Sequence, residues 1–211
     1  MARDVAKSAI DVLEVNISCS TRDPKGGNFA LHEEHTHDVV KLIRATTDKP
    51  MWVKLSPNAG DIVAVPKAAE RAGADALVVA NTILGLKINT DTLRPAIGNK
   101  FGGLSGPGIK PIIVRMVYQC AKAVKIPIIG CGGVVKVEDA VEYMLAGATA
   151  VMIGYHTFRN STGMIAIVEG LEEWCAKRGF ARAVDLTRAM IDDHRWKPLP
   201  PPRRRSGDLL R

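Results

Sequence analysis

Five times along the chain, a short unbroken apolar run leads into a polar or glycine-bearing loop and then into a segment with helical hydrophobic spacing. The runs are Val12–Ser18, Met51–Ser56, Ala76–Asn81, Pro127–Cys131 and Ala150–Tyr155. They do not alternate apolar with polar residues, which predicts parallel strands covered on both faces. Parallel neighbours need crossover connections, and right-handed crossovers put the helices outside the sheet. Units of this kind in series build either a doubly wound sheet or a (β/α)8 barrel. The glycine turns Gly130-Cys131-Gly132-Gly133 and Ile153-Gly154-Tyr155 favour the barrel, whose phosphate site lies after its last two strands. The expected fold class is therefore α/β, a (β/α)8 barrel of which this chain supplies only about the last five units.

The helices read less sharply. The first spans about Leu31 to Thr46, with Val39, Val40, Leu42 and Ile43 at helical spacing. The second runs through Ile62, Val65, Ala68 and Ala69, with Asp61 placed to cap it and Gly73 to end it. A long irregular stretch to Gly108 precedes a helix through Val114, Val117 and Ala121. Another passes through Val141, Tyr143, Met144 and Leu145 and stops at Gly147. A helix over about Met164 to Lys177 and a last one over about Ala183 to Asp193 complete the set. The reading divides the chain into a barrel portion, 1–195, and a Pro/Arg-rich tail, 196–211, expected to be disordered.

The net charge of +7 raises the question of nucleic acid. Much of it falls in the tail, at Arg203, Arg204, Arg205 and Arg211, and aromatic residues make up only 5% without interleaving with the basic ones. Neither a nucleic-acid nor a membrane partner is expected: no apolar run approaches a bilayer span, and the charged first ten residues do not read as a signal peptide. The chain reads as cytoplasmic. Its four cysteines, Cys19, Cys120, Cys131 and Cys175, form no CxxC pair, so neither a zinc site nor a cysteine-held iron–sulfur cluster is expected. The cluster His32, His35 and His37 reads as a solvated helix face rather than a metal site.

Chemistry collects at the carboxyl ends of the predicted strands, where parallel α/β folds place their sites. Asn16, Ser18 and Cys19 end the first, Lys54 lies near the end of the second, and Asn81-Thr82 ends the third. Glycines follow, at Gly102-Gly103-Leu104-Ser105-Gly106, Gly132-Gly133 and Gly154. Backbone amides at glycine turns approach phosphate closely because no Cβ intervenes. A lysine can neutralise a phosphate or an electron-rich ring, and asparagine suits a planar amide or imide ligand. An accessible thiolate can remove a proton. Each group also has a plainer reading: Cys19 as a small buried hydrophobe, Lys54 as a solvent-seeking side chain, and the glycines as turn residues. Their arrival on one rim is what points to a site under the lid-like segment Asp23-Pro24-Lys25-Gly26-Gly27.

The segments LEVNISC, VKLSPN, Asp61 to Glu70, AGAD, Asn81 to Ile88, GGLSGPGIKP, PIIGCGG and AGATAVMIG together resemble the C-terminal portion of class 1 dihydroorotate dehydrogenases, most of all the NAD-linked 1B type. The resemblance runs from about Asp11 to Asn160 and more loosely to Gly179. It implies a barrel that binds FMN and oxidises dihydroorotate to orotate in pyrimidine biosynthesis. By motif position Cys19 is the base, Asn16 and Asn81 bind the substrate, and Thr82 assists. Lys54 lies near the flavin, while Gly106, Gly132, Gly133 and Gly154 cradle FMN, with Tyr155 beside them. Gly26-Gly27 falls where the family's active-site loop hinges. The 1B type also implies a separate subunit carrying FAD and a [2Fe–2S] cluster. The open edges of a five-strand segment point to a homo- or hetero-oligomer.

Three departures stand against this. Ser20-Thr21 replaces the family's Pro-Asn after the cysteine, which removes a substrate-binding asparagine and leaves room for a dihydropyrimidine dehydrogenase-like reductase on the same scaffold. Tyr155 stands where a small hydroxyl residue usually helps to hold phosphate. The family's first strands, which supply a lysine near the flavin and further substrate contacts, do not fall within this sequence. An inactive truncated barrel is therefore the third reading.

Overall fold

The computed structural model describes residues 2–5, 7–19 and 28–191. After a short helix α1 (Ala2–Val5) come β1 (Leu13–Asn16), α2 (Glu33–Arg44), β2 (Met51–Lys54), α3 (Ala64–Arg71) and β3 (Ala76–Val79). Next are β4 (Ile83–Leu86), β5 (Ile88–Asn89), β6 (Arg94–Pro95) and β7 (Phe101–Leu104). The chain continues through α4 (Lys110–Ala123), β8 (Ile128–Cys131), α5 (Val137–Leu145), β9 (Ala150–Met152), α6 (Tyr155–Arg159) and α7 (Gly163–Lys177).

The five expected strands form one sheet in the order β1-β2-β3-β8-β9. All four pairings are parallel, with Val15 opposite Val53, Val53 opposite Leu77, Leu77 opposite Ile128 and Ile129 opposite Ala150. Side chains alternate between the two faces of a strand. Val15, Met51, Val53, Leu77, Val79 and Ile128 enter the main core together with Val40, Val65, Ala69, Ile113, Val117 and Tyr143 from the helices. A smaller cluster, Ala76, Val78 and Ile129 with Trp52, Cys131 and Met152, covers the other face. β3 is buried at all four positions, which accounts for its unbroken apolar sequence.

The helix signals act where they were expected. The Asp61 carboxylate accepts from Val63 N at 2.7 Å and Ala64 N at 2.9 Å, which satisfies donors left over at the start of α3. These bonds hold the Asp61 pKa below the usual carboxylate range. Gly73 and Gly147 follow α3 and α5 with φ of +100° and +114°, a conformation glycine adopts without a Cβ penalty.

Two expectations are corrected. The stretch between β3 and Gly108 is not irregular: β4 pairs antiparallel with β7, and β5 with β6, so it forms an arm of two short ribbons. The last helix, expected over about Ala183 to Asp193, does not form over its described residues, 183–191. Ala183–Leu186 is a single 3-10 turn, and Arg188 takes φ of +65°. Arg188 N and Met190 N then bond to Met144 O and Leu145 O. The carbonyls at the end of α5 thus take two amides that a helix would use, and the rest of the stretch keeps only isolated turns, such as Ala189 N to Leu186 O and Ile191 N to Arg188 O. Leu186 packs with Val141, Met144 and Cys175 in a satellite core between α5 and α7. The tail 196–211 and the boundary before it lie outside the described residues, as do Ser20, Thr21, Gly26 and Gly27.

Candidate active site

β1 delivers Asn16 at its last residue, and the chain continues through buried Ile17 and Ser18 to an exposed Cys19. Ser18 is the hub. Its hydroxyl donates to Asn16 Oδ1 at 3.0 Å and accepts from Asn81 Nδ2 at 2.9 Å, and its amide donates to Asn16 Oδ1 at 3.2 Å. Asn81 follows β3, where its own amide donates to Leu55 O at 2.9 Å. Its side-chain oxygen accepts from Thr82 N at 2.7 Å. The ends of β1 and β3 are thereby tied over the end of β2.

A second layer holds Thr82. Asn58 Nδ2 donates to Thr82 O at 3.3 Å and to the buried Ser56 hydroxyl at 3.3 Å, while Asn58 Oδ1 accepts from Leu84 N at 3.0 Å. Thr82 packs against the arm where Gly103 leaves room: a Cβ there would come within 2.2 Å of Thr82 Oγ1.

Lys54 projects over the inner face of the sheet. Its ammonium lies 3.2 Å from Glu14 Oε1 and 3.9 Å from Met152 Sδ. Cys131 sits close by. Burial raises its thiol pKa, against the pull of Lys54 and with the help of Glu14.

The glycines meet on the other side. Gly106, Gly132 and Gly133 have φ of +95°, +153° and +71°. A Cβ on Gly133 would lie 2.6 Å from Gly106 O, so the two turns touch directly. The Tyr155 ring lies 3.2–3.4 Å from the Cβ position of Gly106. Tyr143 donates to Gly132 O at 2.6 Å and fills the space beneath Gly130, where a Cβ would come within 2.4 Å of its ring. Beside Gly154 there is open space. The structure thus brings the asparagines, Thr82 and Cys19 to one side of the strand ends and Gly106, Gly132, Gly133 and Tyr155 to the other. A concavity lined by Lys125, Pro127, Thr149 and Arg188 opens at the opposite ends of the strands and contains none of these residues.

Sequence reasoning gave no role to Glu14, Asn58 or Asp139. Glu14 was legible only as a charge inside a predicted strand. Asn58 stands two residues after Ser56, a spacing that fits any turn in which a serine hydroxyl accepts from the backbone two residues on.

Five parallel β/α units with a polar rim at the strand ends define part of a (β/α)8 barrel of the ligand-binding kind. The family model described as "Dihydroorotate dehydrogenase" matches residues 1–174. Among curated relatives, the dihydroorotate dehydrogenase B (NAD(+)) catalytic subunit of Trichlorobacter lovleyi is 48% identical over 181 residues, covering 86% of this chain and 60% of that protein. The subunit of the same name from Porphyromonas gingivalis is 42% identical over 185 residues, covering 88% and 60%. Among solved structures, the ligand-free dihydroorotate dehydrogenase of Eimeria tenella superposes with a TM-score of 0.73 at 20% identity, covering 90% of this chain and 59% of that one. The chain belongs to the dihydroorotate dehydrogenase family, and it spans about three fifths of the length of the curated relatives it matches.

Proposed function

We propose that this chain carries the substrate-facing and phosphate-facing parts of an FMN-dependent site that oxidises dihydroorotate to orotate. The observation that carries the reading is the hydrogen-bonded set Asn16–Ser18–Asn81 beside an exposed Cys19, at the strand ends of a chain whose relatives are dihydroorotate dehydrogenases.

The residues present fit FMN. Gly106, Gly133 and Gly154 offer backbone without a Cβ at three successive turns, with open space beside Gly154, and Lys54 brings a cation to the inner face. FMN held there supplies the acceptor for the hydride that leaves the substrate. Cys19 takes the proton from the neighbouring carbon, which requires its thiolate form. Asn16 and Asn81 present amides to the planar ring and its carboxylate, with Ser18 fixing their rotamers and Thr82 fixing Asn81. The Lys54 ammonium, kept in place by Glu14, balances negative charge gathered on the flavin side. Tyr155 walls the recess beside Gly106. The relatives are named as catalytic subunits of an NAD(+) enzyme, which supports a separate electron-transfer subunit; we propose that such a partner carries FAD and a [2Fe–2S] cluster.

The test is the visible spectrum of the purified chain after incubation with FMN and desalting. A retained flavin band that bleaches with dihydroorotate, and not with dihydrouracil, supports the proposal. Bleaching by dihydrouracil alone reassigns the substrate, and a colourless protein overturns the flavin reading for this chain by itself.

A further inference from the structure

Two glycine turns from different β/α units form the recess proposed for phosphate. Gly106 precedes α4, and Gly132-Gly133 precedes α5. Left-handed glycine turns are conformationally soft, so the contact between them needs an external brace. One is present. Lys110, the first residue of α4, places its Nζ 2.7 Å from Asp139 Oδ1, and its Cβ lies 3.1 Å from the Cβ position of Gly133. The other Asp139 oxygen accepts from Val135 N at 2.9 Å and Lys136 N at 3.1 Å, in the loop that continues from Gly133. Capping α5 accounts for those two bonds but not for the one to Lys110. Glu142 adds a second carboxylate on the same ammonium. With both carboxylates on it, Lys110 is not presented to an incoming phosphate as a bare cation.

The Asp139 side chain is 4% exposed and that of Lys110 is 21% exposed. Little water competes for the pair. A buried ion pair is weak evidence for net stability in itself, and what this one does visibly is join the two turns.

We propose that Lys110 is a positioning residue: through Asp139 it staples the Gly106 turn to the Gly132-Gly133 turn and so sets the width of the phosphate recess. The inference rests on the flavin reading above. FMN and riboflavin differ only in the phosphate that this recess would hold.

The experiment titrates FMN and riboflavin separately into the full chain and into Lys110→Met, Lys110→Arg and Asp139→Asn variants, following flavin fluorescence. Asp139→Asn keeps a carbonyl to accept from the Val135 and Lys136 amides and so preserves the fold if Lys110→Met does not. The expected result is FMN affinity lower by roughly 10- to 100-fold in Lys110→Met and Asp139→Asn, as for other residues that orient a binding group from behind. Riboflavin affinity stays within about threefold on the same scale, and Lys110→Arg recovers most of the loss. Equal losses for both flavins, or none for FMN, overturn the staple while leaving the flavin reading intact. An unsubstituted chain that binds the two flavins equally well also overturns it. Binding of neither flavin overturns the flavin reading, and the staple's cofactor role with it.

Discussion

Asn81 donates its side-chain amide to the Ser18 hydroxyl at 2.9 Å, so the end of β3 is locked to the end of β1 through a side chain that is itself buried. Ser18→Ala removes this bond and the one to Asn16, leaving only contacts of 3.2–3.5 Å between the two strand ends, with Asn81 still held by Thr82 N at 2.7 Å. The expected cost is about 1 kcal/mol of stability and a fivefold to tenfold weaker binding of orotate, on the order of one hydrogen bond each. Thermal melts and an orotate titration measure the two separately.

Cys19→Ser keeps the size of the side chain and raises the pKa of the proposed base. Dihydroorotate oxidation is expected to fall by roughly 10²–10⁴, with FMN retention unchanged. Stopped-flow bleaching of the flavin checks this, and an unaltered rate removes Cys19 from the base role.

Gly133→Ala forces a side chain into a left-handed turn and against Gly106 O at 2.6 Å, where backbone cannot give way as a flexible side chain would. A loss of about 2 kcal/mol is expected. Gly154→Ala meets nothing within 4 Å and is expected to leave the melting temperature of the cofactor-free chain nearly unchanged. Denaturant titrations of the two variants side by side give the comparison.

The Lys110–Asp139 pair predicts a pH window. Burial pushes the Asp139 pKa up, but the Lys110 ammonium and the Val135 and Lys136 amides outweigh it, so the pKa lies below its ordinary 3.8. Burial likewise pulls Lys110 down, but Asp139 and Glu142 outweigh it and the pKa lies above 10.5. The carboxylate's contribution is therefore complete above 3.8 and fades as pH falls toward its lowered value. The ammonium's contribution is complete below 10.5 and fades as pH rises through its raised value. The stability gap between the unsubstituted chain and Asp139→Asn, about 1.5 kcal/mol because Glu142 stays on the ammonium, is expected to stay level from about pH 4 to 10 and to narrow outside that range. Melting temperatures against pH test it.

Glu14→Gln is expected to change stability by less than about 1 kcal/mol, because the Lys54–Glu14 pair is partly solvated. Its larger effect falls on FMN affinity, since Lys54 is then held less firmly over the inner face. Flavin titrations of Glu14→Gln and Lys54→Met compare the two contributions.

The strands were legible because burial on both faces writes itself as unbroken apolar runs, as in Ala76–Val79. The helix ends were legible where one residue does the work alone, as at Asp61, Gly73 and Gly147. The last helix was not, because its fate depends on the carbonyls of Met144 and Leu145 more than 40 residues earlier in the chain. The arm was missed because its strands carry Gly85, Gly102 and Gly103, which weaken any strand pattern. At the site, residues at strand ends could be named from their positions alone. Partners from different units could not: nothing in the spacing of Lys110 and Asp139, or of Glu14 and Lys54, pairs them, and only the crossovers bring them together.

The strand order places β3 in the middle, hydrogen-bonded to β2 on one side and β8 on the other, with β1 and β9 outermost. That order is also a clock. In heavy water the amides of Leu77, Val78 and Val79 should keep their protons longest, and those of β1 and β9 should exchange first. The rim that ties Asn16 to Asn81 therefore joins the slowest strand to one of the fastest, so a ligand gripping both should lengthen the lifetime of β1 amides far more than that of β3.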